Sequence, residues 1–536
     1  MSSSSSGPLT YRSKPIPSKA HLHGRLPDKL FPKGYALTGV HCGVKKNSAL
    51  DLAVILSTSD RPTSAAASFT RNAFKAAPVL VCQEILDKNE GRARGLVVNS
   101  GCANAVTGKQ GLEDAWAMVK STDGLLTPPP PHSQPSTLVM STGVIGQNLP
   151  IKKITSAIEG LKGQRLGSGF EDWEKAAKAF MTTDTFPKLR ARTFKIRDKE
   201  YAIAGMDKGA GMIHPNMGPP KPSPSSTSGL HATLLGFIVT DAAISPTSLQ
   251  TALDYAIDRS FNSISVDGDM STNDTVVVLA NGAAQPEENE IDQETDREGY
   301  EIFRDELTSF AQELAQLVVW DGEGATKFVT VNVEVGFADL CVLGLKLTRP
   351  SRVLQPSKML TRSRQECRLR LCSRQPCTER MRSEIFIPHF ITYPSLTVFR
   401  SWGRVLAAVG SIQNLSKPLE PSRVNVLFVP GDDSPPLPVL VGGEPENVDE
   451  VRAKEILSEG KFEIKIQLGI GEESAKYWTC DFSYVSLPFP SNFEIRDVTG
   501  CRRVIFPFPT PASYFQSSRG TFVPMSIELF RLFSLF

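Results

Sequence analysis

The segment His231-Ala232-Thr233-Leu234 sets a threonine at the head of an apolar run, just after the Pro/Ser-rich stretch Gly218–Gly229. In an uncut chain such a threonine is an ordinary strand residue. If the Ala232–Thr233 bond is broken, Thr233 carries a hydroxyl nucleophile and a free α-amine together. An α-amine titrates near ~7.7–8.0, so it can serve as the base for its own hydroxyl with no His–Asp pair. The chain has seven histidines in 536 residues and none in an H-E-x-x-H arrangement, which is consistent with that chemistry.

Acyl chemistry at Thr233 would need donors for an oxyanion. The turn Ser141-Thr142-Gly143-Val144-Ile145-Gly146 follows an apolar run and can turn backbone N–H groups toward an anion. It lacks Walker and G-x-G-x-x-G spacing. Lys208-Gly209-Ala210-Gly211 brings a cation beside small residues, and glycines flank Glu323 in Asp321-Gly322-Glu323-Gly324, leaving its carboxylate open to a substrate amine. A helix C-cap with solvated charges is the plainer reading of that last turn. In Asn99-Ser100-Gly101-Cys102-Ala103-Asn104 small residues permit close backbone approach. Cys102 has no histidine nearby in sequence and reads as a buried structural thiol. Asp267-Gly268-Asp269-Met270-Ser271-Thr272-Asn273-Asp274 has a calcium-loop look. However, Thr272 stands where glycine is needed and Val278 where glutamate is needed, so it reads as a polar turn that could line a pocket.

These residues need a scaffold. Apolar, β-branched runs at Leu52–Leu56, Val79–Val81, Leu96–Val98, Thr137–Met140, Leu234–Val239 and Val276–Leu279, each bounded by turn formers, predict short strands. Ser245-Pro246 predicts a helix start, with Leu249, Ala252, Leu253, Ala256 and Ile257 on one face. A second helix is predicted near Ile302–Val318. Residues 34–335 therefore read as one α/β unit, with Leu126–Ser136, Gly218–Gly229 and the acidic Gln285–Glu301 as solvated loops. Residues 1–27 are Ser-rich, carry Arg12, Lys14, Lys19 and Arg25, and lack acids and an apolar h-region, the composition of a transit peptide.

Composition limits the alternatives. Lys plus Arg is 59 and Asp plus Glu is 57, a balance that argues against binding nucleic acid or acidic membranes. No run approaches the length of a membrane-spanning helix. Nine cysteines without a C-x-x-C pair predict neither a disulfide scaffold nor a zinc ribbon.

Taken in order, the motifs resemble the bifunctional ornithine acetyltransferase/N-acetylglutamate synthase family of arginine biosynthesis, in its fungal mitochondrial form. They are Phe69-Thr70-Arg71-Asn72 with Ala76-Ala77-Pro78-Val79; NSGCANA at 99–105; STGVIG at 141–146; MTTDT at 181–185; KGAGMIHPNM at 208–217; ATLL at 232–235; TDAAIS at 240–245; the 267–275 loop; and DGEGATK at 321–327. Trp402-Gly403-Arg404, LAAVG at 406–410 and Cys480-Asp481-Phe482-Ser483-Tyr484 follow. The resemblance implies an α/β fold of stacked sheets covered by helices. It implies self-cleavage between Ala232 and Thr233 into chains 28–232 and 233–536, paired as α2β2. It also implies ping-pong transfer of acetyl from N-acetylornithine through an acetyl-Thr233 ester to glutamate. Thr142 and Gly143 would form the oxyanion hole, and Thr182, Lys208, Thr233 and Glu323 would line the substrate site. No cofactor or metal is implied, acetyl-CoA is left open as a further donor, and the location would be the mitochondrial matrix.

Two stretches depart from the family. Residues 337–400 hold nine arginines between Arg349 and Arg382 and evenly spaced Cys367, Cys372 and Cys377. They read as neither a basic patch nor a metal site. Codons for Cys377–Arg382 shifted by one base can spell a family-like Leu-Tyr-Gly-Ala-Asp-Ala, and codons around Val335–Gly336, Arg382–Glu384 and Arg400–Ser401 permit splice signals. After Tyr484, residues 485–536 lack the family tail that brings an Asn and a Ser or Thr to the substrate. Both stretches read as translated retained introns with a frame slip. The alternatives are an inactive product of such a transcript, or a related N-terminal-nucleophile aminopeptidase or amidase.

Overall fold

The computed structural model describes residues 17–131, 133–164, 166–219, 234–285, 289–334, 420–469 and 474–481, and two short strands beyond them. Residues 1–483 form one unit and 484–536 another. In the second, Phe515–Gln516 and Phe522–Val523 pair antiparallel. All else below concerns the first unit.

One sheet is built from β1 (Tyr35–Val40), β2 (Leu52–Ser57), β4 (Gly95–Cys102) and β5 (Thr137–Val144), in the order β1-β2-β4-β5. The second takes β3 (Ser64–Thr70), β6 (Lys188–Ile196), β7 (Lys199–Lys208), β8 (Met217–Gly218), β9 (Leu235–Thr240) and β10 (Thr275–Ala280), in the order β6-β7-β9-β10-β3-β8. Residues of β2, β9 and β10 are buried along their whole length, which is what unbroken Val/Ile/Leu runs dictate. Alternation along β7 and β9 divides the interior. Ala204, Met206, Phe237 and Val239 join one core with the first sheet, so the two sheets stack. Ile203 and Ile238 face a second core shared with helices α5 (Pro246–Arg259) and α6 (Arg297–Trp320). On the first sheet lie α1 (Ala77–Lys88) and α2 (Gly108–Asp123), against β5, and α4 (Phe170–Phe180), against β1 and β2, with α3 (Ile151–Glu159) beside α2. A third sheet takes β11 (Phe328–Glu334), β12 (Asn425–Pro430), β13 (Leu437–Val441), β14 (Glu444–Pro445), β15 (Lys461–Gln467) and β16 (Ser474–Cys480) in the order β14-β13-β12-β15-β11-β16, so that β11 lies between β15 and β16. The architecture is α/β, stacked sheets flanked by helices. Among the described residues no helix is long and apolar enough to cross a membrane.

Three expectations change. Val79–Val81 is helical, not a strand, because it sits in α1. Pro78 occupies the first turn, where its missing N–H costs nothing, and Val79, Cys82, Ile85 and Leu86 are buried on one face. Gln285–Glu301 is not simply a solvated loop. Ile291 is buried and bridges to Ile244, the Asp292 carboxylate accepts from Ser245 Oγ at 2.5 Å and Ser248 Oγ at 3.0 Å, and α6 already begins at Arg297 under an Asp296 cap. Acids before helices are N-terminal caps as readily as loop residues. Finally, part of the 1–27 stretch belongs to the packed chain. Leu22 and Leu26 rest on the two cores, His23 Nε2 lies 2.9 Å from Glu174, and Arg190 donates to Leu22 O at 3.0 Å. Residues 337–400, and 485–536 apart from the two short strands, lie outside the described residues.

Candidate active site

The strand ends of the two stacked sheets meet at Thr142. Along β5 the residues pass from buried Thr142 to exposed Val144, and the pairing with β4 is bulged at Gly101–Cys102. Only glycine fits at 143: its φ is +126°, and a Cβ would stand 2.3 Å from the Gly101 carbonyl carbon. This is the close approach that the small residues of 99–105 foreshadowed. The turn is pinned from behind. Ser141 Oγ donates to Asn99 Oδ1 at 2.6 Å, and Asn273 Nδ2 donates to Ala103 O at 2.7 Å and Ser141 O at 2.8 Å. Cys102 is buried, with its Sγ on Gln147 O at 3.1 Å, and burial pushes its thiol up, away from a reactive thiolate.

Lys208 ends β7 opposite Leu235, and its ammonium donates to Thr142 Oγ1 at 3.2 Å. The side chain is fully buried. Burial pulls its pKa down, Asp184 opposes this and Lys188 adds to it, leaving it at about 8. Such an ammonium is a poised partner for an incoming carboxylate. Next to Leu235, the Leu234 N–H donates to the Asp274 carboxylate at 3.1 Å. Asp274 is pushed up to about 7 by burial, against the pull of the Leu234 and Ser271 N–H groups and of Lys208. Ala232 and the expected nucleophile Thr233 lie outside the described residues, and the described chain resumes at Leu234, the next residue in sequence.

A buried ionic network ties the remaining segments together. Asp184 accepts from Thr182 N at 2.8 Å, Gly209 N at 2.7 Å and Lys188 Nζ at 2.6 Å. Lys188 also donates to Asp321 at 2.7 Å, and Asp321 in turn accepts from Thr185 through its N–H at 2.9 Å and its hydroxyl. Burial alone would raise Asp184, but the Lys188 and Lys208 ammoniums override it and hold it well below the usual carboxylate range. The same carboxylates outweigh burial at Lys188 and keep it charged. One network thereby fixes the Thr182 loop, the Lys208–Gly209 turn and the 321–324 turn. Glu323 is exposed. Its N–H donates to Ala210 O at 2.8 Å, and a Cβ at Gly211 would fall 2.6 Å from its carboxylate. Asp481 closes the turn from β16, accepting from Thr326 N, Thr326 Oγ1 and Lys327 N at 2.6–2.7 Å.

The structure thus joins Thr142, Gly143 and Lys208 directly, and links Thr182 and Glu323 to them through Asp184 and Asp321. Sequence reading missed Asp184, Lys188, Asp321, Asn273 and Asp274 as organisers. It also missed Lys45, whose ammonium holds Met181 O at 2.7 Å beside Thr182. The available signal was acids lodged among small residues, in MTTDT and the 267–275 loop.

A model of the ArgJ family matches residues 36–339 and 400–488. The chain belongs to the ArgJ family. A relative from Postia placenta is 58% identical over 480 residues, covering 89% of this chain and 95% of its own length. One from Laccaria bicolor is 57% identical over 486 residues, with the same coverage of 89% and 95%. Both are called arginine biosynthesis bifunctional protein ArgJ, mitochondrial. Among solved structures, the Bacillus halodurans ArgJ is 37% identical, covers 35% of this chain and 92% of its own, and has a TM-score of 0.32. The Mycobacterium tuberculosis ornithine acetyltransferase, complexed with ornithine, is 33% identical, with 35% and 95% coverage and a TM-score of 0.30.

Proposed function

We propose that this chain is a mitochondrial enzyme of arginine biosynthesis that cuts itself before Thr233 and moves acetyl from N-acetylornithine to glutamate. One observation carries the mechanism: the buried Lys208 ammonium sits 3.2 Å from Thr142 Oγ1, opposite the strand that starts two residues after Thr233. Thr233 Oγ attacks the acetyl carbonyl while its α-amine takes the hydroxyl proton. Thr142 and Gly143 stabilise the oxyanion, and such a donor is worth ~2.7–4 kcal/mol. Ornithine leaves as the amine with a returned proton. Glutamate's amine then attacks the acetyl-Thr233 ester. Lys208 takes the substrate α-carboxylate, Glu323 the ornithine side-chain ammonium, and Thr182 the adjoining polar groups. No cofactor enters this route. Acetyl-CoA would compete only as an alternative donor to the same threonine, and the two products of cleavage would pair as α2β2.

The test is a half reaction. Incubated with N-acetylornithine alone, the enzyme should acquire one acetyl group on the peptide that begins at Thr233, and glutamate should discharge it. An unacetylated Thr233 peptide, with turnover intact, would reject the route. The family match leaves out residues 340–399 and 489–536, which supports reading 337–400 and 485–536 as retained introns. Transcripts spliced across these stretches are expected, and transcripts running through them unspliced would refute that reading.

A further inference from the structure

The loop Ser271–Asp274 is four polar residues, each no more than 1% exposed. Burial of that many polar groups is tolerated only when all are paired, and the pairing here is directional. Asn273 reaches the first sheet, donating from Nδ2 to Ala103 O at 2.7 Å and Ser141 O at 2.8 Å, and accepting from Thr272 Oγ1 at 2.8 Å. Ser141 is the residue before Thr142. The next residue, Asp274, reaches the second sheet. One carboxylate oxygen accepts Leu234 N–H at 3.1 Å and the other accepts Ser271 N–H at 3.3 Å. The Leu234 nitrogen is the one bonded to the carbonyl carbon of Thr233. The loop backbone is anchored independently: Thr70 Oγ1 donates to Ser271 O at 2.7 Å, and Thr70 N to Asp274 O at 2.8 Å.

We infer that Asn273 and Asp274 act together as a brace that sets the separation between the start of β9, at Leu234, and the oxyanion donors at Thr142 and Gly143. The inference rests on the acetyl-transfer reading above. Both are positioning residues. Neither hydrogen-bonds Lys208, Glu323 or Thr182, whose segments hang from the Asp184–Lys188–Asp321 network, but the Asp274 carboxylate does help to keep Lys208 charged, so substrate binding is judged on Asn273. Loosening the brace should therefore spare substrate binding and slow the chemical step, where a misplacement of ~1 Å costs on the order of 100-fold.

The experiment compares Asp274→Asn, Asn273→Ser and Thr70→Val in the full chain, using the cleaved fraction counted by acetylation. Asparagine at 274 keeps an acceptor for Leu234 but turns an N–H toward the Ser271 N–H. Serine at 273 is too short to reach both carbonyls. Thr70→Val weakens the same loop without touching the brace. Expected are a fall in kcat of about 100-fold for each brace variant, slowed self-cleavage, and, for Asn273→Ser, a KM for N-acetylornithine within about twofold of the parent. Thr70→Val should lower the melting temperature similarly and leave kcat unchanged. Equal kcat losses in all three variants, or KM of Asn273→Ser rising in step with its kcat loss, would mean a merely structural loop and overturn the inference. If one brace variant fails to accumulate folded, the other decides. A parent enzyme that never yields a chain beginning at Thr233 overturns the underlying reading first, and is distinguished by failing before any variant is made.

Discussion

Replacing Lys188 by Met removes the cation that, among the described residues, is hydrogen-bonded to both Asp184 and Asp321, at 2.6 and 2.7 Å, where all three side chains are fully buried. Removing one partner from a buried ion pair typically costs ~3–5 kcal/mol, because the charge left behind has lost its compensation. In a unit of this size that is a drop in melting temperature of roughly 3–5 °C, read at one scan rate against the parent. The pH dependence makes the test specific. In the parent, Asp184 is depressed, so its contribution is present above the unfolded value of ~3.9 and is lost as pH falls further. Lys188 is raised, so its contribution is present below ~10.4 and lost as pH rises past its folded value. The parent network should be intact between those limits. In the variant, the orphaned carboxylates are relieved by taking up protons. The penalty should shrink on going from pH 7 to pH 5, by up to ~1.4 kcal/mol per pH unit for each proton gained. Since the same network positions the Thr182 and Lys208–Gly209 segments, KM for N-acetylornithine should rise as well. A loss under ~1 kcal/mol at pH 7, typical of an exposed pair, or a loss that does not change with pH, would refute the reasoning.

Three further outcomes are expected. Thr142→Ala should lower kcat by about 10²- to 10³-fold at near-constant KM, measured by steady-state kinetics, and an unchanged kcat would remove Thr142 from the oxyanion site. With Lys208 at about 8, KM for N-acetylornithine should climb about tenfold per pH unit above that value as the ammonium is lost. Lys208→Arg, which stays charged, should flatten the profile, and a flat parent profile would contradict the assignment. Asp207 has no hydrogen-bond partner among the described residues for either buried oxygen, and burial pushes its carboxyl well up. A raised acid contributes most below its unfolded pKa and loses that contribution as pH rises through its folded value. Asp207→Leu should therefore stabilise the protein at neutral pH by ~1–2 kcal/mol and flatten the stability profile in urea melts, and destabilisation would show that Asp207 is paired.

The local signals in the chain were legible wherever geometry is set by neighbours in sequence. Ser245 caps α5, accepting from Ser248 N, as Ser245-Pro246 foretold. Glycines at 101 and 143 marked where two strands nearly touch. What stayed hidden depends on distant partners. β3, SAAASFT, has poor strand formers and gives no strand signal in sequence, yet it is buried throughout because β10 and α5 close over it. Its small side chains suit that close packing, so tertiary fit overrides propensity. Lys188 looks like a surface residue until Asp321, 133 positions away, is seen to neutralise it. The contact between Lys208 and Thr142 spans 66 positions and no spacing rule exposes it. The 267–275 loop reads in sequence as a polar turn that could line a pocket, but that Asn273 and Asp274 point to different sheets emerges only from the fold.

The most direct test of self-cleavage before Thr233 is the intact mass of the natively expressed protein, with the N-termini sequenced from the same sample. Two chains, the second beginning at Thr233, are expected. A single uncut chain that nevertheless transfers acetyl would contradict the mechanism, because Thr233 would then have no free amine to activate its own hydroxyl.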